Sequence, residues 1–419
     1  METAVGAYER LLASVSVGGR ELANRVAMAP MTRGRAHDVS GVPSPLTPEY
    51  YRQRAGAGLL ITEGAYVNPL AKGGPGIPGI HSEEQGAAWR AVTEAVHEEG
   101  GTIYAQLWHV GRMTHPLVLP EGALPVAPSA VRIDGPQIFT RDGWVAHVTP
   151  RPLTAEEIAE TVRDFARAAE VAVAAGFDGV EIHGANGYLV QQFLAENTNR
   201  RTDAYGGSLN GRLRFAVEVT EAVAAAVGAE RVGLRVSPGN DENQIAEADP
   251  AATYGALVEA VAPLGLAYLH VLKRGEFEAV SEMRRRWSGT LIANHNGPAP
   301  SSPDVGARLV ADGSADLVAF GRLFITNPDL PARLRGGVPL AAPATENVYG
   351  GGAEGYVDYP AAVGEMGAGI GTRSGPGSGS GPGVGVGAES GQLAGEQTAF
   401  EAGVRDGLSD GDRVLTAGS

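Results

Sequence analysis

The chain has no cysteine in 419 residues, and this absence removes a whole set of chemistries. Without a thiol there is no disulfide, no thiolate metal site, no iron–sulfur cluster and no cysteine nucleophile. Positive charge is also scarce, with 33 Lys and Arg against 48 Asp and Glu, a formal net charge of −15. With no basic stripe to neutralise phosphates, nucleic acid is not an expected partner. No apolar run approaches the ~18 residues that a membrane span needs. Met1-Glu2-Thr3 begins acidic, and no apolar segment of a secretory signal follows. A cytoplasmic protein without a membrane partner is expected. Metal signatures are missing too. His97-Glu98-Glu99 has no second His four residues on, and His109 with His115 has no matched acid, so no metal site is expected.

Alternation is what the chain does have. Short apolar runs at 26–30, 58–63, 102–109, 179–183, 232–237, 267–271, 290–294 and 317–321 suit strands buried on both faces. Helical patterns fall between them, at 82–99, 153–175, 209–227, 250–262 and 303–311. Ser82 with Gln85 and Thr154 with Glu157 have capping-box spacing, and Gly176 suits a helix stop. Eight strands with intervening helices predict an α/β fold, a (β/α)8 TIM barrel. A doubly wound sheet is the alternative, but no G-x-G-x-x-G follows the first strand.

Two stretches interrupt the pattern. Residues 112–152 are too long and Pro-rich for an ordinary βα loop, which predicts an excursion after strand 3 capping the strand ends. Residues 363–395 are dominated by Gly, Ser and Pro, as in Ser374-Gly375-Pro376-Gly377-Ser378-Gly379, and read as a flexible linker. The expected organisation is therefore a barrel over 1–362, a linker over 363–395 and a polar tail over 396–419.

Chemistry collects at the C-terminal strand ends of such a barrel. There, Gly179-Val180-Glu181-Ile182 leads into His183-Gly184-Ala185-Asn186-Gly187-Tyr188-Leu189. Small residues let the backbone turn tightly and aim three proton-bearing side chains into one cavity. His183 and Asn186 could together bind a carbonyl oxygen, and Tyr188 could deliver a proton nearby. A structural His and a packing Tyr are the plainer alternative. The other strand ends add Pro30-Met31-Thr32-Arg33, Glu63-Gly64, Gln106-Leu107-Trp108-His109, Arg235, His295-Asn296 and Gly321-Arg322.

This set resembles the Old Yellow Enzyme family of FMN-dependent ene-reductases, with few gaps from about residue 11 to residue 359. Its carriers are Asn24-Arg25-Val26-Ala27-Met28-Ala29-Pro30-Met31-Thr32-Arg33, the run from Gln106 to Arg112, His183 to Leu189, Arg200-Arg201-Thr202-Asp203-Ala204-Tyr205-Gly206-Gly207-Ser208 and the closing Tyr349-Gly350-Gly351-Gly352. The resemblance implies tightly bound, non-covalent FMN and NADPH or NADH as co-substrate, the nicotinamide being held by the substrate-site residues. It places Pro30, Met31, Thr32, Gly64, Gln106, His183, Arg235, His295, Asn296, Gly321 and Arg322 around the flavin. Trp108, His183, Asn186 and Tyr349 would face an α,β-unsaturated carbonyl substrate. Hydride would reach its β-carbon from the flavin, and Tyr188 would protonate the α-carbon from the opposite side.

Each assignment has a structural alternative: a buried amide for Gln106, a pair with Glu63 for Arg235, a surface ion pair for Arg322, a turn for Thr32 and plain core for Trp108. The sequence departs from the family pattern at Gly74, where an aromatic is usual, at Asn294-His295-Asn296, and in the loop after Pro238. An isomerase or desaturase on the same flavin is a second reading, and a catalytically silent flavin-binding protein a third. Monomer and homodimer both remain open.

Overall fold

The computed structural model describes residues 6, 8–274, 277–295 and 302–362. The linker and tail expected over 363–419, and Asn296, lie outside the described residues. Eight parallel strands close into a barrel: β1 (Val26–Met28), β2 (Leu59–Tyr66), β3 (Ile103–Trp108), β4 (Gly179–Gly184), β5 (Val232–Val236), β6 (Tyr268–Lys273), β7 (Leu291–His295) and β8 (Leu317–Phe320). β8 pairs back onto β1 through Val318 opposite Val26. Each strand falls on one of the apolar runs read from the sequence. β2 extends beyond its expected end because a register shift between Ile61 and Gly64 lets it keep pairing with β3 as far as Tyr66 opposite Trp108.

The helices start where the caps predict. Ser82 and Thr154 close complete capping boxes on α1 (Glu83–Glu98) and α2 (Ala155–Ala174), and Gly176 takes the left-handed φ of +93° that ends the second. Ser208 caps α3 (Leu209–Val227), Asp249 caps α4 (Pro250–Val261), and Ser302 caps α6 (Pro303–Ala311). α5 (Ala279–Arg286) was not legible in the sequence. Its buried face is only Ala279, Val280 and Met283, and Arg284-Arg285-Arg286 hide the period.

Strand alternation builds two cores. One side faces the helices. The other fills the barrel with Ala27, Leu59, Ile61, Tyr104, Tyr268, Ile292, Leu317 and Ala319, and Val17 and Leu22 of a hairpin (Val15–Val17, Arg20–Leu22) join that inner cluster. Each such Leu, Ile or Val contributes about 1.5–3 kcal/mol by leaving water. The barrel is thus a packed plug with room for a site only at its other end.

The excursion over 112–152 covers that end. It carries a hairpin, Gln137–Thr140 with Gly143–Ala146, and a short pair, Val126–Ala127 with Arg151–Pro152. Arg201, after β4, donates from Nη1 to the Pro128 and Leu153 carbonyls at 3.0 and 2.6 Å. Arg112 spans the Val131 carbonyl at 3.1 Å and the Asn243 carbonyl at 2.7 Å. The excursion is therefore fastened to the loops that follow β4 and β5, on the strand-end face. No helix among the described residues is long and apolar enough to cross a membrane.

Candidate active site

A cavity of about 220 Å3 opens at the C-terminal end of the barrel. By the same measure one water needs only roughly 15 Å3, so this is space for a ligand. Its walls come from Pro30, Met31 and Thr32 after β1, Gly64 of β2, Gln106 and Trp108 of β3, His183 of β4, Asn186 and Tyr188 beyond it, Arg235 of β5, Arg322 after β8, and Ile325, Val348 and Tyr349. Residues scattered over 300 positions meet because parallel strands deliver their ends to one face. Ile325 and Val348 were not expected; nothing local marks an apolar residue as cavity wall. Gly321 follows β8 next to Met31, and His295 ends β7, both beside rather than in this wall.

His183 points inward because it shares the interior face of β4 with Glu181, two residues before it. The Ala185 amide donates to its Nδ1 at 3.3 Å, so Nδ1 is an acceptor and the ring proton sits on Nε2. Burial, with Arg235 and His270 nearby, holds the imidazole well below its ordinary pKa, hence neutral. The ring lies nearly parallel to Trp108 at 6.1 Å, and Tyr188 meets it edge-on at 5.0 Å.

Beyond the strand the chain turns through Asn186 at φ +56° and Gly187 at φ +74°. A side chain at Gly187 would bring its Cβ to 2.6 Å from the Glu242 carbonyl oxygen, so only glycine allows the turn. Tyr188 then precedes the short helix Leu189–Leu194, with its ring edge-on to Trp108 at 4.9 Å. Burial and the nearby Glu242 raise its pKa well above that of a free phenol. It holds its proton at any physiological pH.

The floor is polar and buried. Gln106 donates from Nε2 to Glu181 at 2.8 Å, which leaves its carbonyl oxygen as an acceptor. Glu181 also takes bonds from His270 at 2.8 Å and Tyr268 at 3.2 Å. Arg235 is 5 % exposed and donates from Nη2 to Asn294 at 3.0 Å, while its Nε has no hydrogen-bond partner among the described residues. Glu63 is not its mate, because that carboxylate accepts the Arg33 and Gly34 amides at 2.9 and 3.0 Å. A buried guanidinium with an unmet donor is costly unless a ligand completes it. Arg322 stands exposed at the rim and forms no ion pair among the described residues.

The segment carrying Val348 and Tyr349 is strapped across the strand ends. Arg33 donates to the Val348 and Gly355 carbonyls at 3.0 and 2.7 Å, and Arg35 to those of Gly352 and Asn347 at 3.1 and 3.0 Å. Tyr356 is stacked on Tyr50 at 4.3 Å under the Arg35 guanidinium. The closing motif thus earns its place through backbone carbonyls, which no side-chain pattern could foretell.

Buried imidazoles set a pH limit on the fold. Burial lowers His109 from 6.5 to about 3 and His147 to about 4, and also lowers His183 and His270. Each is depressed in the folded state, so the unfolded chain binds more protons and stability falls as pH drops. The thermal midpoint should be level above about pH 7 and decline from pH 6.5 towards 4. That decline begins before carboxylates titrate. A midpoint constant down to pH 5 would contradict the assignment.

Comparison with known proteins places the chain among flavoenzymes. Residues 10–341 match the family described as NADH:flavin oxidoreductase / NADH oxidase. The chain is 42 % identical to 12-oxophytodienoate reductase 7 of Oryza sativa subsp. japonica over 361 residues, 81 % of this chain and 91 % of that one. It is 41 % identical to a probable flavin mononucleotide-dependent alkene reductase of Leishmania infantum, covering 86 % of this chain and all of the other. Among solved structures, morphinone reductase in complex with tetrahydroNAD matches with a TM-score of 0.79 at 44 % identity, over 84 % of this chain and 97 % of that one. The Old Yellow Enzyme homologue from Zymomonas mobilis matches with a TM-score of 0.80 at 38 % identity, over 84 % and 99 %.

Proposed function

The chain belongs to the NADH:flavin oxidoreductase / NADH oxidase family, and we propose that it uses NAD(P)H to reduce the activated carbon–carbon double bond of an α,β-unsaturated carbonyl compound. Relatives named for oxophytodienoate and alkene reduction support that substrate class. The cofactor is FMN, and the floor suits it. Arg235, whose Nε lacks a partner among the described residues, would meet the ring edge where negative charge grows on reduction. Gln106 and Thr32 would complete the polar contacts, Pro30, Met31 and Gly64 would line the ring, and Arg322 with Gly321 and His295 would hold the phosphate.

When bound, FMN takes up hydride from the nicotinamide and supplies hydride to the β-carbon of the alkene. The chain's own part is charge and proton control. His183 Nε2–H and the Asn186 amide bind the carbonyl oxygen and stabilise the negative charge that develops there. A donor aimed in this way is typically worth about 3–4 kcal/mol of barrier. Tyr188, kept protonated by its surroundings, delivers its proton to the α-carbon as general acid. Trp108 packs against both His183 and Tyr188 and limits their rotation.

The observation that carries this reading is the pairing of a neutral His183, fixed as an Nε2–H donor, with a protonated Tyr188 on the same wall. It predicts where each hydrogen goes. Reduction of 2-methylcyclohexenone in D2O with unlabelled NADPH should place deuterium at Cα. Saturated product without deuterium at Cα, or NADPH oxidation without saturated product, would overturn it.

A further inference from the structure

In the loop after β5, the Asn240 side-chain amide meets Asn186 of the cavity wall. We propose that Asn240 is a positioning residue that fixes Asn186 as a hydrogen-bond donor and so commits the cavity to ligands presenting an acceptor oxygen. The proposal rests on the reading of His183 and Asn186 as the carbonyl-binding pair.

Each bond around Asn240 has only one possible direction. The Glu242 backbone N–H can only donate, and it reaches Asn240 Oδ1 at 3.0 Å. Asn240 Oδ1 is therefore the acceptor and its other terminus the NH2 group. That NH2 lies 3.2 Å from Asn186 Oδ1. Two amide groups cannot face each other donor to donor, so the Asn186 oxygen is held here and its Nδ2 is left to donate elsewhere. Asn240 is 2 % exposed, so water cannot easily take over either bond.

The Asn186 backbone offers no escape by moving. Its N–H donates to Ser237 Oγ at 2.9 Å, and its carbonyl accepts from Asn243 Nδ2 at 2.7 Å. Ser237 in turn donates to Gln191 Oε1 at 3.0 Å, and Gln191 Nε2 donates to the Glu247 carboxylate at 3.0 Å. A carboxylate at the end of this chain fixes the sense of every link before it. With the backbone pinned, the flip of one side-chain amide is the remaining freedom, and Asn240 decides it.

Asn240→Asp tests this with almost no change of shape. The aspartate can still accept the Glu242 N–H, but its second oxygen now faces Asn186 and can only accept. Asn186 must turn its NH2 toward it and present an oxygen to the cavity beside His183. An enone carbonyl then meets an acceptor where it had a donor. A nicotinamide carboxamide carries both C=O and NH2 and can pair with either arrangement.

Oxidised, FMN-loaded Asn240→Asp would be titrated anaerobically with cyclohexenone while the visible flavin band is followed, and the rate of its bleaching by NADPH measured separately. The enone Kd should rise at least about tenfold, with bleaching by NADPH changed less than about threefold. Equal losses in both would overturn the proposal in favour of a merely structural role, and an unchanged enone Kd would overturn it outright. If the new charge beside Glu242 prevents folding, Asn240→Leu serves. It unlocks the amide without inverting it, so enone binding should weaken by a smaller factor and NADPH bleaching should again be spared. A wild-type protein that binds FMN yet shows no response to cyclohexenone would instead remove the ene-reductase reading itself, an outcome separate from any difference between variants.

Discussion

Tyr188→Phe should slow the return of flavin colour on adding an enone by about a hundredfold or more, the usual contribution of a positioned general acid. Bleaching by NADPH should stay unchanged, because that half of the cycle needs no proton from Tyr188. The substitution removes one oxygen and keeps the ring, so the edge-on contacts to Trp108 at 4.9 Å and His183 at 5.0 Å survive. A packing role would therefore predict almost no effect. The two readings differ by orders of magnitude in one rate and by nothing in the other. Rapid-mixing absorbance of each half-reaction, wild type against variant, separates them.

Arg235→Met should weaken FMN binding by about 2–5 kcal/mol, roughly thirtyfold or more in Kd, as expected when one partner of a desolvated charged contact is removed. The flavin-free protein should behave in the opposite way. There the guanidinium is buried, with Asn294 as its hydrogen-bond partner among the described residues and an unmet Nε, and replacing such a charge with an apolar side chain of similar volume is often neutral or stabilising. The apo variant should match or exceed the wild type in urea resistance. A residue that served the fold would lower the stability of the apo protein instead. Fluorescence titration of free FMN and urea midpoints of both apo proteins distinguish the outcomes.

The fold was legible because its strands are short apolar runs and its helices begin at Ser82, Thr154, Ser208 and Ser302, side chains that satisfy amides left open at helix starts. Much of the cavity wall was legible too, since His183, Asn186, Tyr188, Gln106 and Arg235 are polar residues at the ends of apolar strands. What lies behind them was not. In the sequence Glu181 reads as one more residue of an apolar strand, although a carboxylate two residues before His183 must share its face and so turn into the barrel. It is the acceptor that orients Gln106. Asn240 and Asn243 sit in a loop whose path depends on Asn243 at φ +56° and Gln244 at φ +57°, a conformation that residue type alone does not announce. The strap over 347–356 is held by guanidinium groups on backbone carbonyls, and those bonds leave no trace in the side-chain pattern. Sequence thus shows the groups that line the cavity better than the groups that aim them.

The most direct test of the central claim is an anaerobic titration of the purified, FMN-loaded protein with NADPH and then cyclohexenone, followed by visible absorbance. NADPH should bleach the flavin band, and stoichiometric cyclohexenone should restore it with formation of cyclohexanone. A band that NADPH bleaches but that cyclohexenone and other activated alkenes leave bleached would contradict that claim.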